Sequence, residues 1–407
     1  MAILGAGYTG LSAARQLAKA GASVVVFDRG VVGSGASSRN AGQVLTGLKL
    51  EPAALVAKYG EARARQLFHA SRDAIAALET IVSEERIDCD LQRTGHLQAA
   101  AKPSHFEAFK EEQALLARVF GHRVRLISKS DQGAELGARG YHGLLLDEDS
   151  RALNPAKYVH GLAAAARRAG ALIVENAAVG KMTRTGGERT RSEWSRSEWT
   201  IETGAGQIRA RDVLVATNGY TDHAAPALQR RLIPIGSYII TTAPLPPEAV
   251  ARILPKRRMV FDSRYFLHYF RLTPDNRLLF GGRAEFSGPT LESETRAVMI
   301  LRRAMSSTFP ELSATPIDYA WSGRVAFTRD QMPHAGRMDD MFYAGGYCGH
   351  GVAMATYLGS LIARRIAGEP LEHPLFDDHF DPIPLYYGRP WFLPLVGLYY
   401  RWLDWIS

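Results

Sequence analysis

The stretch Gly5-Ala6-Gly7-Tyr8-Thr9-Gly10 constrains the fold more than any other part of the chain. Alone, a glycine triplet at this spacing is weak, because glycine-rich turns are common. Here it follows the short apolar run Ala2-Ile3-Leu4 and opens a helical pattern from Leu11 to Ala20 that Gly21 stops. A β-branched run, Ser23 to Phe27, comes next and closes on Asp28. Its lack of alternation fits a strand buried on both faces. In that context each glycine has a task. Gly5 permits the tight turn, Gly7 lets backbone approach a pyrophosphate, and Gly10 lets helix pack on strand. The helix start offers N–H groups to phosphate, and Asp28 can accept ribose hydroxyls. The expectation is a bound dinucleotide on an α/β, Rossmann-type domain. The first strand is unusually short, and further residues upstream are expected in the natural protein or a neighbouring homologue.

At 407 residues the chain exceeds what one core supports, so two domains are expected. The net charge of +8 comes mostly from arginine. Its short runs, Arg167-Arg168, Arg230-Arg231 and Arg257-Arg258, are scattered rather than gathered on one module. A nucleic-acid partner is therefore not expected. Two cysteines, Cys89 and Cys348, make neither a disulfide framework nor a metal-spaced pair, and the histidines show no ligand spacing, so no metal is expected. With the phosphate-type motif beginning at Gly5, no signal peptide is expected, and no apolar run reaches the length of a spanning helix. These features point to the cytoplasm.

Further along, helical patterns cover Ala62 to Arg86, Ser104 to Phe120, Asn154 to Arg168, Glu292 to Thr308 and Gly351 to Ala367. Strand signals fall at His96 to Ala100, Ala171 to Val174, Val213 to Ala216, Tyr238 to Thr242, Tyr265 to Leu272, Arg277 to Gly281 and Met341 to Ala344, with a hairpin from Thr200 to Ile208. Thr190-Arg191-Ser192-Glu193-Trp194 is repeated almost unchanged as Ser195-Arg196-Ser197-Glu198-Trp199. Five residues are too few for a solenoid period, and a slipped duplication lengthening a hairpin loop accounts for them.

Two more glycine-rich stretches favour FAD over NAD. Gly33-Ser34-Gly35-Ala36-Ser37-Ser38-Arg39-Asn40-Ala41-Gly42-Gln43 suits a cofactor that continues past its pyrophosphate to a ribityl chain and fused ring. Gly345-Gly346-Tyr347-Cys348-Gly349-His350-Gly351 precedes another helix, whose N–H dipoles can face charge developing on a reduced flavin. With Ala216-Thr217-Asn218-Gly219-Tyr220, Tyr269-Phe270-Arg271-Leu272, Leu279-Phe280-Gly281-Gly282 and Gly349-His350-Gly351-Val352, the chain resembles the D-amino-acid oxidase (DAO) superfamily, most closely its gamma-glutamylputrescine oxidase branch.

The resemblance implies a DAO-type fold. Residues 1–86, 146–225 and 318–372 would form a discontinuous FAD domain, and 87–145 with 226–317 a mixed-sheet substrate domain. Residues 373–407 would be an aromatic tail. It also implies hydride transfer from an amine-bearing carbon to flavin N5, giving an imine that water hydrolyses to a carbonyl. Oxygen, forming H2O2, or a membrane quinone would reoxidise the flavin. Motifs and resemblance together name cofactor contacts. These are Gly5, Gly7, Tyr8, Thr9, Gly10, Asp28 and Arg29; Ser37, Ser38, Arg39, Asn40, Gly42 and Gln43; Val179; Thr217, Asn218 and Gly219; and Gly346, Tyr347, Gly349, His350, Gly351 and Val352.

Two departures bear on chemistry. Sarcosine-oxidase-like relatives place a carboxylate-binding lysine two residues past the Gly-His-Gly motif, where this chain has Ala353. Their flavin-attaching cysteine has no counterpart from Trp321 to Ala344, so non-covalent FAD is expected, with Cys348 a small neighbour of the ring. Amine oxidation needs a held C–H bond more than acid–base machinery. The candidates for substrate chemistry are His350, Tyr265, Tyr269 and Arg283, each against a structural reading: a turn histidine, aromatic packing, a surface arginine. Period-2 alternation puts Tyr265, Leu267, Tyr269 and Arg271 on one strand face and Phe266, His268 and Phe270 on the other, leaving open which meets the flavin. Arg283 is the one carboxylate anchor that the motifs single out. The expected substrate is a small amine or amino-acid derivative; the alternative is a D-amino-acid or N-methyl-amino-acid oxidase or dehydrogenase. The aromatic tail (Tyr386, Tyr387, Trp391, Phe392, Tyr399, Tyr400, Trp402, Trp405) packs on its own protein or a second subunit, or touches the inner membrane face peripherally. Oligomeric state is left open.

Overall fold

A computed structural model describes residues 1–185, 198–204, 206–282 and 291–406. The run Ala2–Leu4 forms the third-last strand of a six-stranded sheet, ordered 334–338, 341–345, 213–215, 2–4, 25–27, 172–174. Ile3 pairs in parallel with Val26 and Leu214, and it is fully buried, which is why these strands show no alternation. Only His334–Met338, at the edge, runs antiparallel.

The helix Tyr8–Lys19 crosses this sheet against a second helix, Gly351–Ile366. They approach so closely that a Cβ on Gly359 would lie 2.4 Å from the Thr9 carbonyl oxygen. The Ser12 hydroxyl donates to Thr356 O at 2.7 Å and lies 2.8 Å from Ser360 Oγ. This contact sets the N-terminal glycine turn beside the turn at 345–351, although some 340 residues separate them in sequence.

An eight-stranded mixed sheet stands beside the first, ordered 317–327, 233–242, 278–282, 268–272, 259–262, 96–99, 144–147, 125–127. Phe270, Phe280 and Phe309 fill the core between this sheet and the helix Leu291–Thr308. The sheet departs from the expected domain limits in two places. Ile317–Phe327 pairs along its length with Ile233–Thr242, so its hydrogen-bond ladder ties residues after 318 to the substrate sheet. Leu144–Asp147 pairs with His96–Ala99 across the expected break at 145.

Other elements also differ from expectation. A helix spans Pro52–Glu84 rather than beginning at Ala62, because Pro52 suits a helix start; a break at Gly60 (φ 73°, ψ 161°) divides it. The strand expected from Tyr265 begins only at His268. Residues 264–267 instead turn, with the Arg264 and His268 N–H groups donating to Asp262 and those of Tyr265 and Phe266 to Asp404. Asp404 lies on Leu393–Ile406, a helix within the expected aromatic tail, to which the sequence pattern assigns no element. This helix packs Leu393 on Ile235, and Leu395, Leu398, Tyr399 and Trp402 remain exposed. The expected hairpin is present as Glu198–Thr203 against Gly206–Ala210, and Glu198 and Trp199 of the second pentapeptide begin it. The rest of the duplication, residues 190–197, lies outside the described residues. Among the described residues no helix is long and apolar enough to cross a membrane.

Candidate active site

The two glycine turns and the loop 33–43 enclose a cavity of about 260 Å³. Gly5 has φ +102°, a left-handed conformation that a side chain would strain. Gly7 caps the first helix with no side chain, so the first-turn N–H groups face the cavity. That of Tyr8 donates to Ser37 Oγ at 3.1 Å. The Asp28 carboxylate accepts from Ala6 N at 2.8 Å and Gly30 N at 2.9 Å, which fixes it at the strand end with lone pairs to spare. Arg29 forms an ion pair with Asp222 on the same wall.

Of the expected cofactor contacts, Gly5, Gly7, Tyr8, Thr9, Asp28, Arg29, Ser37, Asn40, Val179, Thr217, Asn218, Tyr347, Gly349, Gly351 and Val352 line this cavity. Arg39, Gln43 and His350 line a second one of about 290 Å³, which also touches Asn40, Cys348, Gly349 and Val352. Ser38, Gly10, Gly42, Gly219 and Gly346 line neither and act behind the walls. The Ser38 hydroxyl donates to Gly33 O. A Cβ on Gly42 would lie 2.0 Å from Leu153 O, and one on Gly219 3.0 Å from Arg324 O. The Gly346 N–H donates to Asn218 Oδ1 at 2.9 Å.

Several polar side chains fasten the walls to one another. Thr9 Oγ1 lies 2.6 Å from Tyr347 Oη, both buried, joining the two glycine turns. The Asn40 amide donates to Ala36 O and Ser37 O at 3.0 Å and to Tyr8 Oη at 3.3 Å, and its oxygen accepts from Gly42 N at 2.8 Å. Arg39 donates to Ser34 O and Ser322 O, tying the loop to the eight-stranded sheet. Both residues line a cavity, and their side chains also brace the loop.

The second cavity is lined by Tyr269 on the strand His268–Leu272 and by Leu267 just before it. Arg271 follows on the Tyr269 face of the strand and donates to Ala41 O and Leu153 O. Phe270 points the other way, into the core. Tyr269 Oη lies 2.8 Å from Ser237 Oγ. Tyr265 does not join Tyr269: it stacks on Tyr400 with ring centroids 5.5 Å apart, and it lines neither cavity. The turn that Asp404 holds removes it from the strand's alternation. Arg283 lies outside the described residues.

Burial, with the nearby Lys49 charge, pushes the His350 imidazole down to about 3, so it is neutral near pH 7. Its Nδ1 is sealed from solvent and has no partner among the described residues. Cys348, also buried, is pushed up to about 11 and stays a thiol. Its position within the turn fits a small neighbour of a ring, not a nucleophile.

Residues without a motif also line the second cavity: Lys49, Glu51, His96, Glu112 and Arg324. Lys49 and Glu51 stand two residues apart before the helix Pro52–Glu84, and His96, Glu112 and Arg324 sit on three other elements, so no sequence spacing marks the set. Arg283 is accordingly not the sole cation to consider. The fold also gathers His122, Asp147 and Asp149, whose ligand-type atoms lie within 4.8 Å of one another, a grouping that no spacing revealed. Both histidine nitrogens already face carboxylates there, Nε2 at 3.1 Å from Asp147 and Nδ1 at 3.6 Å from Asp149.

The walls fit an FAD laid through both cavities: an uncapped helix start, an acid at the second strand end, a second helix start and an apolar-sided continuation. Comparison with known proteins agrees. Residues 1–365 match the family described as DAO, FAD dependent oxidoreductase. The gamma-glutamylputrescine oxidoreductase of Escherichia coli K12 is 32% identical over 369 residues, covering 90% of this chain and 83% of that protein. A probable oxidoreductase, OrdL, of Haemophilus influenzae is 31% identical over 412 residues, covering 99% and 91% respectively. The crystal structure of glycine oxidase from Geobacillus kaustophilus superposes with a TM-score of 0.76 at 21% identity, covering 93% of this chain and 98% of that one.

Proposed function

The chain belongs to the DAO family of FAD-dependent oxidoreductases, and from that premise we propose that it oxidises a C–N bond of a small amine or amino-acid derivative in the second cavity. The supporting observation is that this cavity shares the wall residues Cys348, Gly349 and Val352 with the first, so a molecule held there lies beside the far end of the dinucleotide. When bound, FAD supplies a two-electron acceptor for the hydride at N5. Tyr269, braced by Ser237, and Leu267 press the substrate from the sheet side. His350, too weak a base to hold a proton near neutrality, offers Nδ1 for a hydrogen bond that positions the reacting group. The apolar walls favour the neutral amine, since an isolated ammonium there is costly. The imine that leaves is hydrolysed to a carbonyl product, and oxygen, forming H2O2, or a quinone is the terminal acceptor.

Non-covalent FAD belongs to the same proposal. The amine reading is supported by Ala353, which removes the lysine of sarcosine-oxidase-like relatives, and by the E. coli relative. A second reading, oxidation of an α-amino acid, draws on Lys49 in the cavity wall as a carboxylate anchor. An anaerobic screen separates them. Amines without an adjacent carboxylate are expected to bleach the flavin fastest, and acid is expected to release the chromophore as intact FAD. If sarcosine, proline or D-alanine is best, the amino-acid reading replaces the first. Flavin retained on the denatured chain sinks the non-covalent claim.

For the tail, we propose peripheral lipid contact through the exposed Leu395, Leu398, Tyr399 and Trp402, four residues on one helix face. Anionic vesicles are expected to co-sediment the full chain and not one ending before Pro390. Equal sedimentation of the two leaves only the packing role on Ile235.

A further inference from the structure

The second cavity continues away from the dinucleotide, between the starts and faces of two helices. Leu55, Phe68, Leu116 and Val124 give it apolar sides. Into this stretch project two carboxylates. Glu112 lies one turn before Leu116 on the helix Pro103–Phe120, so both side chains share one face. Glu51 caps the helix Pro52–Glu84, and its carboxylate makes no capping hydrogen bond. Glu51 is exposed and Glu112 half-buried, which orders them from mouth to interior. Nothing among the described residues forms a hydrogen bond or ion pair with the Glu112 carboxylate.

Such an arrangement is costly unless something compensates it. A half-buried carboxylate beside a like charge loses solvation and gains repulsion. Burial and the Glu51 charge together push Glu112 up to about 7. The other groups facing this part of the cavity are Lys49 ahead of the long helix, His122 beyond the Glu112 helix, and His96 and Asp147 on the sheet. Of these, His122 and Asp147 satisfy each other at 3.1 Å.

His96 is an independent sign of a ligand. It is only 6% exposed, lines the same cavity, and its Nε2 has no hydrogen-bond partner among the described residues. Buried polar atoms are normally paired, so an orphan facing a cavity calls for a polar group on whatever fills it.

We propose that Glu112, with Glu51 at the mouth, recognises a second cationic group at the far end of an extended amine substrate. This rests on the amine reading above and narrows it to amines carrying a distal ammonium. The apolar sides accept the methylene chain, and His96 Nε2 takes a hydrogen bond from, or gives one to, a polar group along it. Glu112 is thus a specificity-determining residue and takes no part in the redox step.

The test uses the FAD-loaded protein and linear α,ω-diamines of increasing length, each against the monoamine of equal length, in anaerobic flavin reduction. Near pH 8 a diamine is expected to exceed its monoamine in kcat/KM by about tenfold or more, the scale of one charged hydrogen bond. Glu112→Gln should cut that ratio by about tenfold through KM, with kcat little changed and FAD content monitored for folding. The wild-type ratio should fall from about pH 8 to about pH 6, as Glu112 takes a proton below its raised midpoint, and stay flat in Glu112→Gln. Taking the ratio cancels titration of the reacting amine itself. Glu112→Lys should reverse the preference toward ω-amino acids, which carry a distal carboxylate, a gain that misfolding cannot mimic. Equal rates with diamines and monoamines, or a diamine preference that survives Glu112→Gln, overturns the assignment and leaves the amine reading standing. If no amine of either kind reduces the flavin, the amine reading fails, and this inference with it.

Discussion

Replacing Gly10 with alanine is expected to give protein with almost no bound FAD and a sharply lower folded yield. A Cβ at Gly10 would lie 2.0 Å from the Gly5 carbonyl oxygen and 3.1 Å from Ile3 Cγ2. The first clash is with backbone of the turn itself, so no side-chain rotation relieves it. The helix Tyr8–Lys19 would have to lift from the strand Ala2–Leu4, taking Leu11 and Ala14 out of the core. Overpacking of this kind costs roughly 1–3 kcal/mol where neighbours can give, and more where backbone must move. Gly7 offers the informative contrast. There a Cβ would meet only the Ser37 hydroxyl, at 2.9 Å, and that hydroxyl can turn away. Gly7→Leu should therefore fold and yet lose FAD, because its side chain occupies the pyrophosphate's approach. Thermal melting and the flavin-to-protein absorbance ratio distinguish the two outcomes. Gly10→Ala with a wild-type ratio would show that this turn does not hold the cofactor as argued.

The dinucleotide unit was legible because its information is local. Turn glycines, a helix start, a buried strand and a terminal acid lie within thirty residues and carry their own chemistry. The second glycine turn was legible for the same reason, and the family resemblance placed it beside the first. What the pattern could not show was how they meet. Thr9 with Tyr347, and Ser12 with Thr356, are contacts between residues far apart in sequence, each unremarkable alone.

Alternation was right for Leu267, Tyr269, Phe270 and Arg271 and misleading for Tyr265, because a carboxylate from the far C-terminus, Asp404, captures the backbone before the strand begins. The tail's own helix was obscured by Pro390 and Pro394 and by aromatic residues of modest helix propensity, and docking against Ile235 decides it. The substrate end was the least legible part. Lys49 and Glu51 stand two residues apart, but His96 and Glu112 come from two other places, and only the folded cavity makes them all neighbours.

Arg271→Met is expected to destabilise the protein by about 3 kcal/mol or more, since it strips the guanidinium from buried carbonyls that each cost about 1–3 kcal/mol unpaired. Arg271 is buried on the substrate sheet, and its guanidinium donates to Ala41 O at 2.5 Å, Leu153 O at 2.8 Å and Leu272 O at 3.2 Å. Ala41 belongs to the flavin loop, Leu153 precedes the helix Pro155–Arg168, and Leu272 ends its own strand, so one side chain joins three elements. Burial pulls Arg271 down to about 10, which still leaves it cationic at neutral pH. Methionine preserves much of the stem's packing, so the loss reports the hydrogen bonds. Arg271→Lys should recover only part of it, because a single ammonium cannot reach three carbonyls set for a planar fork. Released from Arg271, the loop should also hold FAD less tightly, so added FAD should raise the melting temperature of Arg271→Met by less than that of the wild type. A methionine variant that melts with the wild type and keeps its flavin on dilution would mean that the loop stands without this tie.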